Sequence, residues 1–219
     1  MHSSIRNLNV IKNQIKDKLN HLKKSESPKI IAVSKTFGIE KIKPLIDSGH
    51  LDFGENKVQE TLEKWSEIKL KNEKIKLHLI GRLQTNKVKY AVKVFDYIHS
   101  VDNEKLAKKI ADELSKNQRK IKIFIQVNIG QENQKSGVDI NNLENLYLYC
   151  KKINLEVIGL MCIPPVETNP EQYFKKMQDL TKNLNLKELS MGMSSDYLKA
   201  LEYSSTYLRI GSSIFGQRN

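Results

Sequence analysis

Short runs of β-branched and aromatic residues alternate along the chain with longer stretches whose apolar positions recur every three or four residues. The first pattern marks a strand and the second an amphipathic helix. Ile5, Leu8, Ile11, Ile15 and Leu19 share one side of an N-terminal helix. Ile30–Val33 is a buried strand by its length and β-branching, and a helix follows over Ile39–Asp47. The same alternation then repeats. Leu51–Phe53, Ile75–Ile80, Tyr97–Ile98 and Ile121–Val127 read as strands, as do Leu155–Met161, Glu188–Ser190 and Tyr207–Ile210. The helices between them run over Lys57–Ile68, Thr85–Val94, Glu104–Leu114, Leu143–Cys150, Pro170–Asn183 and Asp196–Glu202.

No Gly/Ser linker, low-complexity block or charged tail divides the chain, so the pattern predicts one domain. Eight strand-then-helix units point to a parallel sheet wrapped by helices. Eight strands close a barrel, so the expected fold is α/β, a single (β/α)8 TIM barrel with an extra N-terminal helix. An open doubly wound sheet is the alternative. In a barrel, functional groups stand at the C-terminal ends of the strands.

Composition narrows the setting. The longest apolar stretch, Val157–Ile163, is far short of the ~20 residues of a membrane span. The N-terminus has no apolar core of a secretory signal. Cys150 and Cys162 fit neither a zinc spacing nor a redox pair, which points to a reduced, cytoplasmic protein. The net charge is +12, but 32 of the 37 basic residues are lysine and aromatics make up only 7%. Readers of nucleic acid favour arginine forks and stacking rings, so the expectation is a solvated lysine surface and no nucleic acid. A basic nucleic-acid-binding protein is the remote alternative.

Chemistry gathers at the strand ends. The first strand closes on Ser34-Lys35-Thr36, and a lysine at the tip of an apolar strand is suited to Schiff-base formation. The plainer alternative is a Lys35 lying beyond the strand and pointing to water. After the seventh strand, Ser190-Met191-Gly192-Met193-Ser194-Ser195-Asp196 offers glycine, hydroxyls and a helix N-terminus to a phosphate, or an ordinary serine cap. The eighth strand ends Arg209-Ile210-Gly211-Ser212-Ser213, a second such turn in the unit where barrels hold phosphate. With Lys35, these loops describe a phosphorylated aldehyde, for which pyridoxal 5′-phosphate (PLP) is the first candidate. His78 and His99 lie within strands, where a lone histidine is more often core than ligand. No metal grouping is evident.

Longer segments now carry a resemblance: AVSKT at 32–36, FGENKVQE at 53–60, HLIGRLQTNK at 78–87, IHSVD at 98–102, IQVNIGQENQKSGV at 125–138, GLMCIPP at 159–165, SMGMSSD at 190–196 and RIGSSIFGQR at 209–218. In this order they resemble the pyridoxal phosphate homeostasis protein family, single-domain relatives of the alanine racemase N-terminal barrel. The resemblance implies one PLP-binding domain over 1–219 and Lys35 as the lysine holding PLP as an internal aldimine. It implies phosphate contacts from Ser194, Gly211 and Ser212, and Arg209 beside the pyridine nitrogen. Asn56 falls near the pocket. By their strand-end positions alone, Met191 and Met161 are candidates to lie against the ring, although a methionine there is more often core. Two departures are Ser204 where the family commonly has glycine, and Lys57 where it commonly has tyrosine.

An arginine at the ring nitrogen leaves it unprotonated and weakens PLP as an electron sink. Two-base racemisation needs a second group opposite Lys35. In full-length racemases that tyrosine comes from a C-terminal domain, which a chain ending at Asn219 is expected to lack. The expected function is therefore PLP homeostasis without robust turnover, with PLP-dependent enzymes as clients and a monomer as the default. A weak PLP-dependent racemase or lyase is the alternative.

Overall fold

Ile30–Val33 and its seven counterparts do form strands, and in a computed structural model they close into one barrel. The structure describes residues 1–132, 136–166 and 168–217. Residues 133–135 of the IQVNIGQENQKSGV segment, and Arg218 of the last segment, lie outside the described residues. The strands are β1 (Lys29–Val33), β2 (Asp52–Glu55), β3 (Lys76–Leu79), β4 (Tyr97–Val101), β5 (Lys122–Gln126), β6 (Glu156–Met161), β7 (Glu188–Ser190) and β8 (Tyr207–Ile210). They pair in sequence order, all parallel. Closure comes from β8 on β1, with Lys29 opposite Tyr207 and Ile31 opposite Arg209. The open sheet is thereby excluded.

The outer helices are α1 (Ser3–His21), α2 (Ile39–Asp47), α3 (Val58–Lys71), α4 (Val88–Val94), α5 (Glu104–Lys116), α6 (Leu143–Lys152), α7 (Glu171–Asn183), α8 (Tyr197–Ala200) and α9 (Ser212–Phe215). Leu8, Ile11, Ile15 and Leu19 of α1 are buried at helical spacing, as the apolar pattern requires. α1 packs on α9, α2 and α8, so it fills out the ring beside a last helix of only one turn. That last helix follows β8 where the sequence reads only as a turn, because four residues carry no periodicity.

Two apolar regions result. A large one lies between strands and helices, and includes Trp65, Phe53, Phe95 and Phe174. A small one, Ile31, Tyr97, Phe124, Met161 and Tyr207, fills the barrel interior. Alternation along each strand separates them. Among the described residues, no helix is long and apolar enough to cross a membrane. Cys150 and Cys162 are free, buried thiols whose pKa values burial pushes up to about 12. Ser204 adopts a left-handed conformation (φ 62°), a backbone geometry that glycine tolerates best.

Candidate cofactor site

The chain leaves β1 through Ser34, Lys35 and Thr36, and this turn is held from behind. The Ser34 hydroxyl donates to Glu55 Oε1 at 2.7 Å, and Lys64 Nζ donates to the Ser34 carbonyl at 3.1 Å. Glu60 Oε1 accepts the Thr36 N–H at 2.9 Å. Burial raises the Glu60 pKa, but the Thr36 N–H and Lys64 outweigh it and hold the carboxyl below its usual value. Glu55, fully buried at the end of β2, also accepts from Trp65 Nε1 at 2.9 Å and pairs with Lys64 at 3.0 Å. A buried carboxylate needs such partners. α3 thus fixes the backbone on both sides of half-buried Lys35.

Beside this turn, across the β1–β8 seam, stand the turns after β8 and β7. Ser194 Oγ accepts the N–H groups of Gly211 (3.3 Å) and Ser213 (3.2 Å), which draws the two turns together. Gly192 makes this course possible: its φ is +90°, and a Cβ there would meet Ala200 Cβ at 2.7 Å. Arg209 lies at the base, 4% exposed. It donates through Nη1 to Ser190 Oγ at 2.7 Å and through Nη2 to the Cys162 carbonyl at 2.8 Å. Burial lowers its pKa from the usual guanidinium value.

These groups border one cavity of about 850 Å³ at the C-terminal mouth, a volume suited to a small cofactor. Lys35, Asn56, Ser194, Arg209, Gly211 and Ser212 all line it. Met191 does not. It is fully buried in the apolar layer outside the barrel, and Met193 reaches the cavity instead. The reason is alternation: Ser190 faces the interior, so the next residue faces the helices. Asn56 is brought close to the next strand end by Gly81, where a Cβ would lie 2.5 Å from the Asn56 carbonyl oxygen. Gln126, Asn128 and Arg82 add polar lining.

His78 and His99 lie inside the barrel and off the cavity lining, as core residues with hydrogen-bond partners. The sequence reading gave no role to Glu55, Lys64, Trp65 or Glu60. The spacing Glu60–Lys64 is an i,i+4 ion pair and was the one visible signal. No group of three or more potential metal ligands occurs among the described residues.

A barrel whose C-terminal mouth brings a lysine and hydroxyl-rich turns to one cavity belongs to the class of the alanine racemase N-terminal domain, and the family so described matches residues 7–219. A pyridoxal phosphate homeostasis protein from Aquifex aeolicus is 42% identical over 200 residues, covering 87% of each chain. The one from Escherichia coli strain K12 is 32% identical over 223 residues, covering 94% of each. This chain belongs to the pyridoxal phosphate homeostasis protein family. Among solved structures, PipY of Synechococcus elongatus with PLP bound is similar at 32% identity and a TM-score of 0.80, covering 92% of this chain and all of that one. An alanine racemase from Clostridium difficile, 16% identical with a TM-score of 0.74, shares the fold over 57% of its own length.

Proposed function

We propose that this protein binds PLP at the barrel mouth and serves vitamin B6 balance, holding the cofactor as a Schiff base on Lys35 without robust turnover. The observation that carries the reading is that Lys35, Ser194, Gly211, Ser212 and the buried Arg209 line one and the same cavity. The donor set fits the cofactor: an amine for its aldehyde, hydroxyls and backbone N–H groups for its phosphate, a guanidinium for the ring nitrogen. PLP when bound supplies an aldehyde carbon for amines and a ring that withdraws electrons.

The chain's own residues do the rest. The Glu55–Lys64–Glu60 cluster orients Lys35, and Ser194 ties the phosphate turns into one cradle. Arg209 presents a group that donates hydrogen bonds and gives up no proton. Weak turnover is supported by the lining: its ionisable side chains among the described residues are Lys35, Arg82 and Arg209. In this reading the protein is a cytoplasmic monomer whose clients are PLP-dependent enzymes. Lysines pair with carboxylates on its surface (Lys43–Asp47 at 2.9 Å, Lys175–Asp179 at 2.9 Å), consistent with a solvated face.

The test is the absorbance of the purified protein titrated with PLP, beside Lys35→Ala. The expected result is a visible band in the parent that the variant loses. A band unchanged in the variant removes Lys35 from the site. α-Deuterium exchange on common amino acids, expected to stay at background, would reveal a racemase or lyase instead.

A further inference from the structure

An unbroken hydrogen-bonded chain crosses the barrel interior from Arg209 to the opposite mouth. Arg209 Nη1 lies 2.7 Å from Ser190 Oγ, and Ser190 Oγ lies 3.0 Å from His99 Nδ1. His99 Nε2 lies 3.0 Å from His78 Nδ1, and His78 Nε2 lies 3.0 Å from Asp52 Oδ1. The links come from β8, β7, β4, β3 and β2. Ser190, His78 and His99 are fully buried, whereas Asp52 stands at the first residue of β2 and reaches water.

The direction of every proton follows from the ends. An ionised carboxylate only accepts, so His78 donates from Nε2 and, as a neutral ring, must accept at Nδ1. His99 then donates from Nε2 and accepts at Nδ1 from the Ser190 hydroxyl. That leaves the Ser190 oxygen to accept from Arg209, which only donates. With both rings neutral, one arrangement satisfies all four contacts, with a cation at one end and an anion at the other. Stacking fixes the planes of the two rings: His78 lies on Tyr97 (centroids 4.2 Å apart, 11°) and His99 on Phe124 (4.2 Å, 17°).

We propose that Ser190, His99, His78 and Asp52 form a directional relay that positions Arg209 at the base of the cofactor cavity. The inference rests on PLP being the ligand only for what Arg209 then does. Each acceptor in such a chain is made stronger by the donor bond beyond it, so the Asp52 carboxylate tightens the hold on Arg209 from across the barrel. Burial keeps both rings from taking up a proton, most strongly for His99. The charged groups facing the pair are Asp52, Asp96, Lys29 and Arg209. These four relay members are positioning residues: they act on the cofactor through Arg209.

Two measurements test the relay. In the first, nitrogen-15 spectra of the imidazoles, recorded without PLP between pH 6 and 8, report which ring nitrogen carries the proton. Both His78 and His99 are expected neutral with the proton on Nε2. A protonated ring, or a proton on Nδ1 of either, overturns the relay. In the second, PLP affinity and the pH midpoint of its visible band are compared for the parent, Ser190→Ala, Ser190→Thr and Asp52→Asn. Ser190→Ala should weaken binding about tenfold, the size of one lost charge-assisted hydrogen bond, and move the midpoint. Ser190→Thr, which keeps the hydroxyl, should restore both. Asp52→Asn, which can still accept from His78, should show a smaller shift in the same direction. A folded Ser190→Ala protein with unchanged affinity and midpoint overturns the positioning role. A parent that binds no PLP overturns the cofactor reading, and the ring tautomers still decide the relay.

Discussion

Between the strands and the helices, Trp65, Phe95, Phe174, Ile98, Ile123 and Ile210 form the apolar layer, and the carboxylate that enters it, Glu55, is held through one oxygen by Lys64 and Trp65. Inside the barrel the same strands present Arg209, Ser190, His99 and His78, with five apolar side chains packed around them. Both regions are buried, yet they are stabilised differently. The outer layer gains from area, at ~25 cal/mol per Å² of apolar surface removed from water. The interior gains little from area and loses much if any partner is removed, because each buried polar atom depends on its neighbour. The outer layer therefore serves stability, and the interior spends part of that stability on holding Arg209 at a fixed place.

That contrast orders the predictions. Trp65→Ala opens the outer layer and removes a donor to Glu55, so unfolding free energy should fall by about 3–5 kcal/mol in urea titration. A loss below 1 kcal/mol would mean that the layer is not the main support. His99→Phe keeps the ring stack on Phe124 but strands His78 Nδ1 and the Ser190 hydroxyl, and should cost about 1–3 kcal/mol. A neutral or stabilising result would break the comparison, since it would make the interior tolerant like the outer layer.

Acid should act through the same histidines. Burial lowers the pKa values of His78, His99 and His50, the last to about 4. The unfolded chain takes up protons on these rings near pH 6.5, while the native chain resists until lower pH. Stability is therefore fully present above about pH 6.5 and is lost as pH falls below it, by up to about 1.4 kcal/mol per pH unit for each ring. Urea midpoints at pH 7, 6 and 5 check the slope, and His99→Phe should make it shallower. The smallest effect belongs to the surface: Lys43→Ala removes an exposed i,i+4 pair with Asp47 and should change stability by no more than ~0.5 kcal/mol.

The outer layer was also the more legible region. Helical spacing of Leu8, Ile11, Ile15 and Leu19, and the β-branched run Ile30–Val33, state their burial locally, because each element's pattern is contained in it. The cavity was legible for a related reason: Lys35, Ser194, Gly211 and Ser212 each sit at a recognisable strand end. The interior relay was not. Its links join residues 19 to 91 positions apart, and nothing in the local sequence of His78 or His99 distinguishes a relay from an isolated core histidine. Met191 shows how fine the margin is, since a shift of one residue past Ser190 decides between interior and outer layer.

The most direct test of the central claim is to reduce the PLP-loaded protein with borohydride, digest it and locate the modified residue by mass. One dominant adduct is expected, on the peptide carrying Lys35. A label spread across many of the surface lysines, with Lys35 not favoured, would contradict it.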